Sequence, residues 1–185
     1  MTQIKKHQLA FIDTETTGLN TEMHELIEIG VVLVSQEWQG TTPVFKVVEE
    51  FEVKIIPEHI ENADPVALKV NGYDPKDWIG AIPLADAMEL FAKKTEDAIM
   101  IAHNVTFDSA FIDKAFKKTG VINKMHYHRL DTISMAFAKL HLDEIVDKYS
   151  LRFLCEYFKI ENTREHSALP DARATFELYK KVLAL

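Results

Sequence analysis

The pattern of apolar residues changes near Pro57, and this change constrains the fold more than any other feature of the 185-residue chain. Before it, residues 8–13 and 26–36 are rich in aliphatic and β-branched side chains, which is typical of strands. After residue 83 helical periodicity predominates, interrupted by a short apolar run at 98–102. Strands first, then helices around a later strand, predict an α/β fold with a mixed central sheet flanked by helices.

The remaining segments follow from the same periodicities. The stretch 44–56 alternates between apolar and charged residues, so we predict a half-buried strand with Glu49 as an exception to the pattern. One face of that strand is expected to carry Phe45, Val47, Phe51, Val53 and Ile55. Helices are predicted near 64–70 and over 84–97, 105–118, 130–140, 150–159 and 167–184. Because no repeat or Pro/Gly/Ser-rich linker interrupts the chain, we predict a single domain over residues 1–185.

Charge and cysteine content narrow the classes of function. The chain has 21 Lys and Arg against 29 Asp and Glu, a net charge of −8. Such a balance argues against a protein that coats nucleic acid through phosphate contacts, but not against an enzyme that binds one strand end with the help of metal cations. The chain has one cysteine, Cys155, and its N-terminus lacks the apolar run of a secretory signal, so we expect a soluble cytoplasmic protein with no membrane contact.

The first candidate site is Asp13-Thr14-Glu15 at the end of a predicted strand. Residues two apart in a strand point to the same face of the sheet, so the carboxylates of Asp13 and Glu15 lie close together. Two neighbouring carboxylates repel unless a cation lies between them, and oxygen ligands favour Mg²⁺ or Mn²⁺ over zinc. The alternative interpretation of this pair alone is a polar strand end before a glycine turn.

Two further acids follow buried segments later in the chain. Asp108 lies in the first turn of a predicted helix that follows the apolar strand, a position that also suits a capping residue. Ligands of open α/β sheets bind at such strand ends. The last predicted helix starts near Ser167, because Pro170 is tolerated only within the first turn, so Asp171 is expected in the second turn. His166 precedes this helix. A histidine there is either an exposed polar residue or, close to a metal-bound water, a base at neutral pH.

Together these three segments resemble the DEDDh family of 3′–5′ exonucleases. The resemblance rests on FIDTETTGL at 11–19, HNVTFD at 103–108 and HSALPDA at 166–172, and it extends over about residues 8–184. The segments Leu130-Asp131-Thr132 and Ser150 to Leu154 also resemble helices that lie between the family motifs. The proline inside the third motif is an uncommon choice, but its position in the first turn makes it harmless.

The resemblance implies an RNase H-like three-layer domain and two divalent cations, Mg²⁺ or Mn²⁺. Asp13 would bind both cations, and Glu15 and Asp171 the one that carries the attacking water. Asp108 would hold the second cation, directly or through water. His166 would be the general base. Thr16, Gly18 and Leu19 would contact the terminal nucleotide, with a buried core position as the alternative for Leu19. His103 and Asn104 are expected near phosphate and sugar. Phe107 either stacks on a base or shares a core face with Phe111 and Ile112.

The implied reaction is hydrolysis of single-stranded DNA or RNA from its 3′ end to nucleoside monophosphates. Two alternatives remain: a proofreading or interaction subunit that acts within a polymerase complex, and a catalytically silent nucleic-acid-binding module. Because the proofreading subunit of the family carries a C-terminal extension and this chain ends at Leu185, we expect self-standing action. A polymerase partner is less favoured, and a homodimer stays open. The choice between DNA and RNA depends on contacts to the 2′-OH, which the sequence does not reveal.

Overall fold

The computed structural model describes residues 4–162 and 167–185. Five strands form one mixed sheet in the order β3-β2-β1-β4-β5. Strands β1, β2 and β3 are antiparallel neighbours, whereas β4 and β5 run parallel to β1. The strands are β1 (Leu9–Thr16), β2 (Leu26–Gln39), β3 (Thr42–Lys54), β4 (Ile99–Ala102) and β5 (Arg129–Asp131). The predicted mixed sheet is confirmed.

Helices cover both faces of this sheet. They are α1 (Pro65–Asn71), α2 (Leu84–Lys94), α3 (Val105–Thr119), α4 (Thr132–Leu140), α5 (Leu151–Phe158) and α6 (Ala168–Leu183). One apolar cluster joins α2 and α3 to the face that carries Ala10 and Ile12, and a second joins α6 to the face that carries Leu9 and Phe11. A third cluster packs α4 and α5 against α6. The result is the predicted three-layer arrangement. None of the described helices is both long and apolar enough to cross a membrane.

Strand β3 differs from its prediction because it contains a bulge. The pairing with β2 shifts between Leu33, which lies opposite Glu49, and Val34, which lies opposite Val47. The extra residue moves the following side chains to the other face of the sheet. Phe45 therefore packs on the α6 side and Phe51 on the α2 side, so the expectation of one shared apolar face is wrong. Glu49, the exception in the pattern, forms an ion pair with Lys94 of α2.

Strand β5 was not predicted, since residues from 130 onward were expected to be helical. A three-residue strand is too short to show alternation, and its side chains are only partly buried or exposed. Its last residue, Asp131, caps α4 by accepting hydrogen bonds from the backbone N–H groups of Ile133 and Ser134. Asp131 also accepts a hydrogen bond from the Val105 N–H group at 2.9 Å. This strand end therefore fixes the starts of both α3 and α4.

Candidate active site

Asp13 and Glu15 lie near the end of β1, on the face of the sheet that α6 covers. Strand β1 extends to Thr16, so the two residues alternate as the sequence predicts. In the pairing with β2, Asp13 lies opposite Gly30 and Glu15 lies opposite Glu28. Residue Thr14, between the two acids, points to the opposite face, toward α3.

A close contact between α6 and β2 positions the third acid. A Cβ atom at Gly30 would lie 2.2 Å from the backbone carbon of Ala168, so only glycine allows the first turn of α6 to approach the sheet this closely. Asp171 is in that first turn, not in the predicted second turn, because α6 starts at Ala168, and it is 8% exposed. Carboxylate oxygens of Asp13, Glu15 and Asp171 all lie within 4.8 Å of one another.

Asp108 approaches the same place from the other layer. It lies in the first turn of α3, is 3% exposed, and accepts a hydrogen bond of 2.8 Å from the Thr14 hydroxyl. It is not a member of the group of three oxygens, but its charge acts on both Asp13 and Glu15. The chain therefore brings four acids, from β1, α3 and α6, to one end of the parallel strand pair.

The electrostatics of these acids reflect burial and mutual repulsion. Burial raises the pKa of Asp13 well above its usual value, and the charges of Asp108 and Glu15 raise it further. The pKa of Glu15 rises to about 8, first because the group is buried and then because of Asp171 and Asp108. Burial also raises the pKa of Asp108 to about 7, although the hydrogen bond from Thr14 opposes this change. A bound divalent cation would compensate the negative charges of these acids and so offset their mutual repulsion.

The donor set fits a hard divalent cation. Three carboxylates converge, and no histidine or cysteine of the described residues shares that group. Oxygen ligands of this kind suit Mg²⁺, Mn²⁺ or Ca²⁺ rather than a structural zinc ion. A cavity of about 240 Å³ opens beside the acids. Its lining residues are Asp13, His103, Ser150, Leu151, Arg152, Asn162 and Asp171.

His103 lines this cavity, but both of its ring nitrogens have partners within the protein. Nδ1 is 2.9 Å from the Thr132 hydroxyl, and Nε2 is 2.8 Å from the Tyr149 carbonyl oxygen. Burial lowers the pKa of His103, which favours the neutral ring. The histidine therefore joins the end of β4 to the start of α4 and to the segment before α5, and its expected contact with phosphate stays a prediction.

The other residues expected to contact substrate lie on the surrounding loops and on α3. Asn104 adopts a left-handed backbone conformation with φ of 71° just before α3. Phe107 is partly buried against the α2–α3 cluster, with its ring centroid 5.1 Å from that of Phe111. Both interpretations of Phe107 have support, since the ring is packed on one side and partly accessible on the other. His166, the predicted base, lies outside the described residues.

The loop after β1 has a tight internal structure and one exposed apolar side chain. The Thr16 hydroxyl donates a 2.8 Å hydrogen bond to the Gly18 carbonyl oxygen. A Cβ atom at Gly18 would lie 2.5 Å from the ring of His24, which explains the glycine by close packing. Leu19 is 79% exposed, so the alternative of a buried core leucine is wrong.

Two polar residues close to the acids were not predicted. The side-chain amide of Asn162 donates a 2.5 Å hydrogen bond to Asp171. Glu28 is buried in β2 opposite Glu15, and its pKa is raised to about 8 by burial, by a hydrogen bond with Glu52 and by neighbouring charges. A signal for Glu28 was present in the sequence, because it is the one acid inside the apolar segment 26–34. Asn162 gave no such signal.

Comparison with known proteins agrees with this geometry. The model of the RNase T family, which is described as an exonuclease family, matches residues 10–179 of this chain. Ribonuclease T of Shewanella oneidensis is 31% identical over 179 residues, which cover 91% of this chain and 78% of that protein. The PolC-type DNA polymerase III of Caldanaerobacter subterraneus subsp. tengcongensis is 30% identical over 179 residues. That match covers 95% of this chain but only 12% of the polymerase.

Solved structures share the fold at lower sequence identity. E. coli exonuclease I in complex with a dT13 oligonucleotide is 16% identical, with a TM-score of 0.73 over 96% of this chain and 41% of that chain. A second structure of exonuclease I has a TM-score of 0.77 at 17% identity, again over 41% of its length. A zinc-bound form of the exonuclease I–ssDNA complex is also similar, with a TM-score of 0.76. This chain therefore spans less than half of the exonuclease I chain.

Proposed function

We propose that this chain, which belongs to the RNase T-type exonuclease family, removes nucleotides one at a time from the 3′ end of single-stranded DNA or RNA. As a member of that family it is a divalent-metal-dependent hydrolase of phosphodiester bonds, and the proposed cofactor is a pair of Mg²⁺ or Mn²⁺ ions. The products would be nucleoside monophosphates. The observation that carries this proposal is the convergence of the Asp13, Glu15 and Asp171 carboxylates within 4.8 Å, with Asp108 beside them.

The proposed roles of the acids follow from their positions. Asp13 is central, since the charges of Asp108, Glu15 and Asp171 all act on it. Asp13, Glu15 and Asp171 would hold one cation, and Asp13 with Asp108 the other. Bound divalent cations would stabilise negative charge on the attacking and leaving oxygens and acidify the water nucleophile. Asn162 and Thr14 would orient the carboxylates of Asp171 and Asp108 through their hydrogen bonds.

We assign the general base to His166 on the basis of the family motif. A side chain that accepts a proton at neutral pH is needed beside the acids, and His103 is unsuited to this role because both of its ring nitrogens are engaged. His166→Ala is expected to lower the rate by on the order of 10²–10⁴-fold. Single-turnover cleavage at saturating Mn²⁺ measures this effect, and a loss below tenfold would remove His166 from the role.

The terminal nucleotide is proposed to bind between the loop after β1 and helix α1. Two hydrogen bonds hold these elements together: the Asp64 backbone N–H group donates to the Thr17 carbonyl oxygen at 2.8 Å, and the Asn71 side-chain amide donates to the Thr16 carbonyl oxygen at 3.0 Å. Leu19 on the loop and Val66 on α1 are 79% and 68% exposed. Such exposed apolar side chains suit a base face, and we propose from the family resemblance that Thr16, Gly18, Asn104 and Phe107 contact the same nucleotide.

A cleavage time course tests the proposed direction and strand preference. With 5′-labelled single-stranded DNA and RNA and Mn²⁺, we expect a ladder that shortens one nucleotide at a time, whereas 3′-labelled strands release labelled mononucleotide first. EDTA should abolish the reaction, and added Mg²⁺ or Mn²⁺ should restore it. Internal cuts, or release of the 5′ label first, would contradict the proposal.

The isosteric variant Asp13→Asn ties the activity to the acidic site. It removes one negative charge from a group that is repelled by its neighbours, so the fold should be retained and cleavage abolished. Asp86→Asn on α2 is a matched control, because Asp86 lies outside the acidic site and should keep wild-type activity. Cleavage by Asp13→Asn at a rate near that of the wild type would rule out this site as the catalytic centre.

A role inside a polymerase complex is the second candidate, and the identity with the PolC-type polymerase motivates it. A homodimer is an alternative assembly. Gel filtration with light scattering, of the protein alone and of its mixture with a replicative polymerase, distinguishes a monomer, a homodimer and a polymerase complex. We expect full exonuclease activity without a polymerase, and activity that appears only in the complex would favour the second candidate.

A further inference from the structure

Glu28 is an acid for which the proposed chemistry has no role so far. It lies in β2 directly opposite Glu15 of β1. Opposed residues of an antiparallel pair have Cβ atoms about 4.5–5.5 Å apart and point to the same face. The Glu28 side chain is therefore on the same face as Asp13 and Glu15, beside the candidate cation site.

The environment of Glu28 leaves one of its oxygens unpaired. The residue is 3% exposed, and its Oε1 atom has no hydrogen-bond partner among the described residues. A buried carboxylate oxygen without a partner is costly, because it has lost its hydration without gaining a hydrogen bond. Such a group in a folded protein indicates a water molecule, an ion or a functional role.

The basic residue opposite Glu28 in the strand register acts on Glu28 through its charge, which lowers the pKa of Glu28, but forms no ion pair with it in the described part of the chain. Lys54 lies opposite it in β3. However, the Lys54 ammonium donates to the Asp77 carbonyl oxygen at 3.2 Å and lies 4.3 Å from the ring centroid of Trp78. Among residues 4–162 and 167–185, no salt bridge joins Glu28 to a basic side chain. The free oxygen is thus not explained by a structural ion pair within this part of the chain.

We propose that Glu28 is a positioning residue of the cation site, whose free oxygen accepts a hydrogen bond from a water molecule in the outer shell of the cation held by Asp13, Glu15 and Asp171. This inference rests on the proposed function. An outer role fits the geometry, because Glu28 is not among the three residues whose oxygens converge within 4.8 Å. Partners of this kind contribute about 10–100-fold to metal affinity.

The test is the affinity for Mn²⁺ alone, measured by titration calorimetry and by the electron paramagnetic resonance signal of free Mn²⁺. Glu28→Gln keeps the shape of the side chain and should raise the Kd for Mn²⁺ by about 10–100-fold. Glu28→Asp keeps the carboxylate and should give a Kd between those of the wild type and Glu28→Gln. Glu37→Gln is the matched control, since Glu37 is an exposed acid of the same strand.

The outcomes separate a positioning role from a structural one. The metal-free Tm of Glu28→Gln should equal or exceed that of the wild type, because the change removes a buried acid that is repelled by its neighbours. A Mn²⁺ Kd within twofold of the wild type would overturn the inference, and so would an equal weakening in Glu37→Gln. If Asp13→Asn binds Mn²⁺ as well as the wild type does, the proposed cation site itself is wrong, whatever Glu28 does.

Discussion

At the scale of single residues, two acids of the site are held in place by hydrogen bonds from neighbouring polar side chains. Asp108 is buried and receives a hydrogen bond from Thr14, which lies between Asp13 and Glu15 on β1. Strand β1 thus carries Asp13 and Glu15 on one face and, on the other face, the Thr14 hydroxyl that orients Asp108 of α3. Asn162 has the equivalent relation to Asp171.

Replacing Thr14 tests whether this orientation matters. Thr14→Val keeps the shape of the side chain but removes the donor to Asp108, so we expect kcat to fall by about 10-fold or more, in line with other outer partners of metal ligands. Thr14→Ser retains a hydroxyl and should keep most of the activity. Initial rates at saturating Mn²⁺ measure both variants, and equal rates for Val and Ser would show that the hydrogen bond has no role in catalysis.

At the scale of elements, the contact between α6 and β2 determines where Asp171 lies. The first turn of α6 fits against Gly30, opposite Asp13 in the sheet. Ala172 and Phe176, further along the helix, pack in the same cluster as Phe11 of β1. The helix is therefore fixed by apolar packing on the sheet, and its polar start is brought over the two acids of β1.

Gly30→Ala is expected to move the start of α6. The added methyl group would overlap backbone atoms, so we expect a loss of about 1–3 kcal/mol in the free energy of unfolding, together with a fall in cleavage rate as Asp171 moves from Asp13. Gly80→Ala is the control, because a Cβ atom there meets no atom within 4 Å. Urea denaturation and initial rates measure the two effects. Wild-type stability and activity in Gly30→Ala would contradict this account of α6.

At the scale of the whole molecule, the acidic site couples global stability to pH and to cations. The pKa of Glu15 is about 8 in the folded chain and about 4.5 in the unfolded chain. Between these two pH values the metal-free native state therefore keeps a proton on Glu15 that the unfolded state has released. Stability from this group is therefore unaffected below pH 4.5, falls as pH rises toward 8, and is lowest above it. A bound cation opposes this loss, because it favours the ionised carboxylates.

We therefore expect the rise in Tm caused by Mn²⁺ to be larger at pH 8 than at pH 6. Protons compete with the cation for Glu15 and Asp108, whose pKa values of about 8 and about 7 lie in this range. Thermal denaturation with and without Mn²⁺ at both pH values is the measurement. Asp13→Asn should show a smaller rise at either pH, and a pH-independent rise in the wild type would contradict the model.

Much of the chemistry and the architecture could be predicted from the sequence. The three-motif pattern indicated an RNase H-like exonuclease, and the fold and the family membership confirm this part of the prediction, while the 3′–5′ direction is proposed. The starts of α3 and α6, which carry Asp108 and Asp171, were also close to their predicted positions. The choice of DNA or RNA, the role of His166 and the extent of the domain over residues 1–185 stay predictions.

The sequence by itself determined which residue types occur at the ends of β1, the start of α3 and the start of α6, because periodicity and capping are local properties of the chain. The tertiary structure decided the bulge in β3, the short strand β5, the approach of α6 to Gly30 and the burial of Glu28 opposite Glu15. Each of these features depends on which segments of the chain pack against one another. The periodicity of a segment's own sequence does not show which distant segment it pairs with.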